Sequence, residues 1–174
     1  MKRHQLEHVL RALAGITGFD RFVVIGSQAI LGQYPTPPNE LTESAEVDVY
    51  APAAPEDSSL IDGSIGEGSP FHQTFGYYAH GVGASTATLP RGWEDRVISI
   101  RTPNTGDATG ECLEIHDLAI SKLVAGRDKD IEYVRALLRH GLASADILRS
   151  RLADTPLAEE LRALCEARLD RLRR

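Results

Sequence analysis

With 174 residues, 42% hydrophobic and 25% charged, the chain has the composition of one soluble globular domain long enough to bury a core. Its net charge of −6 excludes coating of nucleic acid by bulk attraction, and no apolar stretch approaches the roughly 18 residues of a membrane span. Two cysteines, Cys112 and Cys165, exclude a zinc cluster and fit free thiols in a reducing cytoplasm.

The first residues run straight into an amphipathic pattern, so no secretory leader is expected. Leu6, Val9, Leu10 and Leu13 recur at i, i+3, i+4, i+7 and predict a helix over 3–14, ended by Gly15 and Gly18. Arg21 to Ile25 reads as a buried strand and Ser27 to Gln33 as a short helix. Pro35, Pro37 and Pro38 then forbid regular structure. Glu46 to Tyr50 is a second strand, closed by Pro52 and Pro55. A weaker helical pattern runs from Asp57 to about Ile65, and Gly66-Glu67-Gly68-Ser69-Pro70 breaks it.

Residues 74–101 read as a meander: Thr74 to Ala79, Thr86 to Leu89, and Arg96 to Arg101, where Ile98 and Ile100 share a face. From residue 113 the pattern is helical, over 116–125, 128–140 and 144–152, with Gly126 and Gly141 as stops. A last helix is expected to start with Thr155 as N-cap and Pro156 at the first helical position, burying Leu157, Leu161, Leu164 and Leu169. Arg168, Arg171, Arg173 and Arg174 fit favourable charge at a helix C-terminus better than a nucleic-acid patch. The fold class is α+β, with residues 1–115 as an α/β core and residues 116–174 as a helical part packed on it.

Two short motifs carry chemistry. Val23-Val24-Ile25-Gly26-Ser27 is a strand ending in Gly-Ser before a helix, an arrangement that lets phosphate approach backbone N–H groups. Glu46-Val47-Asp48 puts two carboxylates on one face of a strand, because side chains alternate with period two. Hard oxygen ligands so placed suit Mg²⁺ together with substrate phosphates, and either motif alone is as well explained by a turn and a solvated strand face.

A second polar segment follows. Lys122 lies among Leu, Ile, Val and Ala, so its stem is expected to be partly buried with its ammonium aimed at a polar cavity, or else solvated on the outer face. Asp128 is an N-terminal helix charge. Asp130 does the same, or orients Lys122 or a substrate hydroxyl, and Arg127 pairs with an aspartate or with phosphate. His72, His80 and His116 lack zinc-ligand spacing; His80 reads as a solvated loop histidine near Tyr77 and Tyr78 that could line the pocket. Trp93 reads as a packing anchor. Ser27, Ser99 and Ser121 form no nucleophile triad with an evident His and Asp, which argues against hydrolase chemistry.

In this order, Ile25-Gly26-Ser27, Glu46-Val47-Asp48 and Lys122…Arg127-x-Lys129-Asp130 resemble the nucleotidyltransferase superfamily. The nearest likeness is to small uncharacterised bacterial members, distantly similar to abortive-infection nucleotidyltransferase toxins; the segments at 66–78 and 89–96 share it. The resemblance implies a mixed sheet flanked by helices and transfer of a nucleoside monophosphate from a triphosphate to an RNA or protein hydroxyl. Gly26, Ser27, Lys122 and Arg127 would hold phosphate, Glu46 and Asp48 Mg²⁺ or Mn²⁺, and Asp48, Lys122 and Asp130 would be catalytic. The superfamily's usual first acid is Asp, here Glu46, and the strand at 96–101 offers no third carboxylate, which leaves Glu111, Glu114 or Asp117 to supply one. The alternative is a weak or inactive nucleotide-binding or regulatory protein, such as a toxin–antitoxin partner. A plain interaction module is the third option.

Overall fold

A computed structural model describes residues 1–55 and 58–172. The chain divides into two compact units: Met1–Thr86 with Val97–Leu113, and Ala87–Arg96 with the chain from Glu114 onward. Together they hold eight α-helices and one five-stranded sheet among the described residues.

In the first unit, α1 (Arg3–Thr17) buries Leu6, Val9, Leu10 and Leu13 completely. It passes through Gly15 and ends at Gly18, whose N–H bonds the Ala14 carbonyl at 3.0 Å. The cost of about 1 kcal/mol for an interior glycine is outweighed by the buried stripe, so Gly15 does not stop the helix. Next come β1 (Arg21–Val24), a 3-10 turn (Ser27–Ala29) and α2 (Ile30–Gln33), then β2 (Glu46–Tyr50). Helix α3 (Ser59–Ile65) follows; its expected start at Asp57 lies outside the described residues.

The expected meander does not form as a run of strands. Residues Pro70–Phe75 form a helix, α4, with Pro70 in its first turn and the Ser69 hydroxyl accepting from the His72 N–H at 3.2 Å. Residues 84–86 form a 3-10 turn, and no strand forms over 86–89. The remaining strands are β3 (Tyr78–Gly81), β4 (Ile98–Ile100) and β5 (Thr109–Cys112), the last unforeseen. The sheet order is β3-β2-β1-β5-β4. The β1–β2 and β4–β5 pairs are antiparallel, while β1–β5 and β2–β3 are parallel, so the sheet is mixed.

Alternation gives this sheet two unlike faces. Phe22, Val24, Val47, Val49, Ala79, Ile100 and Cys112 are buried on one. There α1 comes so close to β5 that a Cβ on Gly110 would lie 2.5 Å from Leu10 Cδ1, so a larger residue would force Leu10 to shift. The other face carries Arg21, Glu46, Asp48, Tyr78, His80, Ser99 and Glu111. Cys112 is a free buried thiol, pushed up to about 12 by burial.

The second unit is built around α5 (Ile115–Ala125), on which α6 (Asp128–Arg139), α7 (Ala145–Ala153) and α8 (Glu159–Leu172) pack. Its core includes Leu118, Ile120, Leu123, Val134, Leu137, Leu148, Leu152, Cys165 and Leu169. Asp117, wholly buried, accepts from Arg96 at 2.8 and 3.1 Å and pairs with Arg151 at 3.4 Å, tying the 87–96 segment to α5 and α7. The start of α8 differs from expectation. The Thr155 hydroxyl donates back to the Arg151 carbonyl at 2.7 Å, finishing α7, so it does not cap α8, which begins at Glu159. Leu164 is therefore exposed, while Cys165 and Leu169 are buried. Arg168 donates to the Leu123 carbonyl at 2.6 Å near the end of α5; Arg173 and Arg174 lie outside the described residues. No helix among the described residues is long and apolar enough to cross a membrane.

Candidate functional site

Glu46 and Asp48 stand two apart on β2 and share the polar face of the sheet. The turn that follows β1 comes up against Asp48. Ile25 N–H bonds the Asp48 carbonyl at 3.1 Å, and a Cβ built on Gly26 would lie 2.0 Å from Asp48 Oδ2 and 2.7 Å from its Cγ. The missing side chain thus leaves the place that the Asp48 carboxylate fills. Gly26 has φ −86°, so the glycine is required by this close approach and not by its backbone conformation. Gly26, the Ser27 that begins the 3-10 turn, and both acids accordingly lie together in the first unit.

Strand β3 completes the cluster. Its parallel register sets Tyr78 opposite Glu46 and His80 opposite Asp48. His80 Nδ1 is 3.1 Å from Asp48 Oδ1 and 3.9 Å from Glu46 Oε1, and one donor atom from each of the three residues falls within 4.8 Å of the others. His80 is therefore a strand residue of the cluster, not the loop histidine expected. The Tyr78 hydroxyl donates to Glu46 Oε2 at 2.9 Å. This bond restrains the longer glutamate side chain at one oxygen. The ring of His72 packs on Tyr78 with centroids 4.6 Å apart, and His72 Nδ1 accepts from the Gly68 N–H at 3.0 Å.

Electrostatics single out Asp48. Burial, followed by the neighbouring Glu46 charge, raises the Asp48 carboxyl above its ordinary value, against the opposing pull of His80. Burial and the bond to Glu46 push the Tyr78 phenol up to about 12, so it stays a donor at neutral pH. A partly exposed pair of carboxylates with an imidazole beside them is a donor set for a divalent cation.

Of the acids expected to supply a third carboxylate, each is engaged elsewhere. Glu111 accepts from Arg21 at 2.6 Å. Glu114 caps α5 by accepting from the His116 N–H at 3.0 Å and takes His116 Nδ1 at 2.7 Å, while His116 Nε2 accepts from the Ser144 N–H. Asp117 is held by Arg96 and Arg151. The third member is His80 instead, and nothing in its local sequence reveals this, because the signal is the parallel pairing of β3 with β2.

Lys122, Asp130 and Arg127 form a cluster of their own in the second unit. Asp130, 1% exposed, accepts from Lys122 Nζ at 3.1 Å and from Arg127 at 2.6 and 3.2 Å. Lys122 Nζ also lies over the Tyr133 ring, 5.3 Å from its centroid. Burial alone would raise the Asp130 carboxyl, but the bonds from Arg127 and Lys122 prevail and hold it below its ordinary value.

A family model described as "Nucleotidyltransferase of unknown function (DUF6036)" matches residues 4–167. Neither a curated protein nor a solved structure matches the chain.

Proposed function

The chain belongs to this family of nucleotidyltransferases of unknown function, and from that premise we propose that it moves a nucleoside monophosphate from a triphosphate to a hydroxyl of an RNA or protein, with Glu46 and Asp48 holding a divalent cation. The observation that carries the reading is the contact of the Gly26 backbone with the Asp48 carboxylate, which brings a phosphate-type turn and metal-type acids into one place.

In such a transfer the acceptor oxygen bonds the α-phosphorus and the bond to the β-bridging oxygen breaks. Pyrophosphate leaves with the electron pair, and the hydroxyl proton passes to water. Two carboxylates beside an imidazole fit Mg²⁺ or Mn²⁺, and the side chain absent at Gly26 leaves the Asp48 oxygens their position. When bound, the cation supplies charge neutralisation for the phosphate oxygens. Glu46 and Asp48 would orient it, Tyr78 fixes the Glu46 oxygen that is not shared with the cluster, and Gly26 and Ser27 would lie against phosphate.

The roles suggested for the second unit stay part of this proposal. Lys122 and Arg127 would contact phosphate and Asp130 would orient them, a reading that its bonds to both support. A macromolecular acceptor and a toxin-like activity are part of the proposal, as the resemblance of the sequence motifs to abortive-infection nucleotidyltransferases suggests.

The test is incubation with each α-labelled triphosphate, Mg²⁺ or Mn²⁺, and total RNA or protein. Label transfer is expected, and Asp48→Asn should reduce it about 10³-fold. Triphosphate binding without transfer would favour the inactive, regulatory reading. Absence of triphosphate binding would remove both.

A further inference from the structure

We propose that His80 is a direct nitrogen ligand of the cation at Glu46 and Asp48, and that this makes the site select a first-row transition ion over Mg²⁺. The inference rests on the reading that these two acids hold a divalent cation, and it adds the third ligand and the class of ion.

Three observations support it. The first is distance. Donor atoms around one ion at about 2.1 Å lie within about 4.2 Å of one another. His80 Nδ1 meets that limit with both carboxylates, at 3.1 Å from Asp48 Oδ1 and 3.9 Å from Glu46 Oε1. The second is how firmly the backbone fixes the set. Parallel register puts His80 directly beside Asp48, and the bare Gly26 backbone bounds the same carboxylate, so the donors are brought together by sheet hydrogen bonds and not by a mobile loop. The third is how the neighbouring oxygen is used. Tyr78 occupies Glu46 Oε2, which leaves Oε1, the oxygen nearer His80, as the available ligand atom.

Ligand chemistry then decides the ion. Mg²⁺ takes oxygen ligands and gives up its water reluctantly, and it gains little from an imidazole. First-row transition ions bind imidazole readily, and among them Mn²⁺ is the weakest in the general affinity order. Mn²⁺ is therefore the stringent probe: a preference for it over Mg²⁺ implies a greater one for the ions above it in that order. His80 is half exposed, so its loss should leave the fold intact.

The experiment uses the full chain, stripped with chelator and titrated with Mn²⁺ under electron paramagnetic resonance, with Mg²⁺ as competitor. Pulsed measurements read nitrogen coupling to the bound ion. The wild type should bind Mn²⁺ about tenfold tighter than Mg²⁺ and show imidazole nitrogen coupling. In His80→Asn that coupling should vanish and Mn²⁺ affinity fall about tenfold, with Mg²⁺ affinity nearly unchanged. His80→Gln serves if the first variant does not fold, as judged by circular dichroism.

Mn²⁺ bound without nitrogen coupling, coupling that persists in the variant, or equal competition by Mg²⁺ would each overturn the role of His80 and leave the transferase reading in place, provided that Asp48→Asn abolishes binding. No Mn²⁺ binding, with or without triphosphate, would overturn both.

Discussion

Asp48 and Asp130 are the same side chain in opposite surroundings. Asp48 has a second carboxylate two residues away and a half-exposed imidazole as partner, and its carboxyl is raised. Asp130 is buried between a lysine and an arginine, and its carboxyl is lowered. The first arrangement has negative charge in excess and improves when a cation arrives. The second is already balanced within its own unit and stabilises the junction of α5 and α6. Asp48 thus carries an electrostatic deficit that a cation would relieve, whereas Asp130 holds Lys122 and Arg127 in place.

Substitution at the two aspartates gives the largest contrast. Asp130→Asn leaves two cations facing a neutral amide and should cost about 3 kcal/mol of stability, measured by urea unfolding. Asp48→Asn removes a charge the fold holds unfavourably and should leave the metal-free protein at least as stable as the wild type. Equal losses at both positions would break the comparison.

Gly26→Ala comes next. Its Cβ would overlap Asp48 Oδ2, so the carboxylate must turn away, and divalent-cation affinity by calorimetry should fall by as much as about a hundredfold. Unchanged affinity would mean that Asp48 does not bind in the orientation seen here. Tyr78→Phe is milder: it frees one oxygen of Glu46 and should weaken cation binding about tenfold without altering the fold.

The smallest effect is on the pH profile of stability. An unfolded aspartate titrates near 3.8. Between 3.8 and its raised folded value Asp48 holds more proton in the folded chain, so stability falls as pH rises through that window. Asp130 has the opposite sign: its contribution is complete above 3.8 and is lost as pH falls through its lower folded value. Urea midpoints of metal-free protein over roughly pH 3 to 7 should show Asp48→Asn flattening the upper limb and Asp130→Asn the lower one. Both variants affecting the same limb would contradict the assignment.

Much of the site was legible because its parts are local. Glu46-Val47-Asp48 carries its own alternation, and Ile25-Gly26-Ser27 its own turn, so their elements emerge from neighbouring residues alone. The α5–α6 segment was legible for the same reason, through apolar periodicity with Gly126 as the stop. What stayed hidden depends on partners distant in the chain. Strand β5 shows only Gly110 and Cys112 to the core, small because Leu10 crowds Gly110 and because a Cβ on Gly32 would meet Cys112 at 2.6 Å, and small residues leave no hydrophobic alternation to read. Helix α4 has six residues, too few to display a period. His80 became a site residue only through the register of β3 on β2.

The two cysteines also make the molecule its own reporter. Cys112 belongs to one unit and Cys165 to the other, both buried and both held as thiols by burial. Alkylation of each should therefore wait for its own unit to open, so that mass-resolved labelling rates follow two breathing motions separately in the unmodified chain.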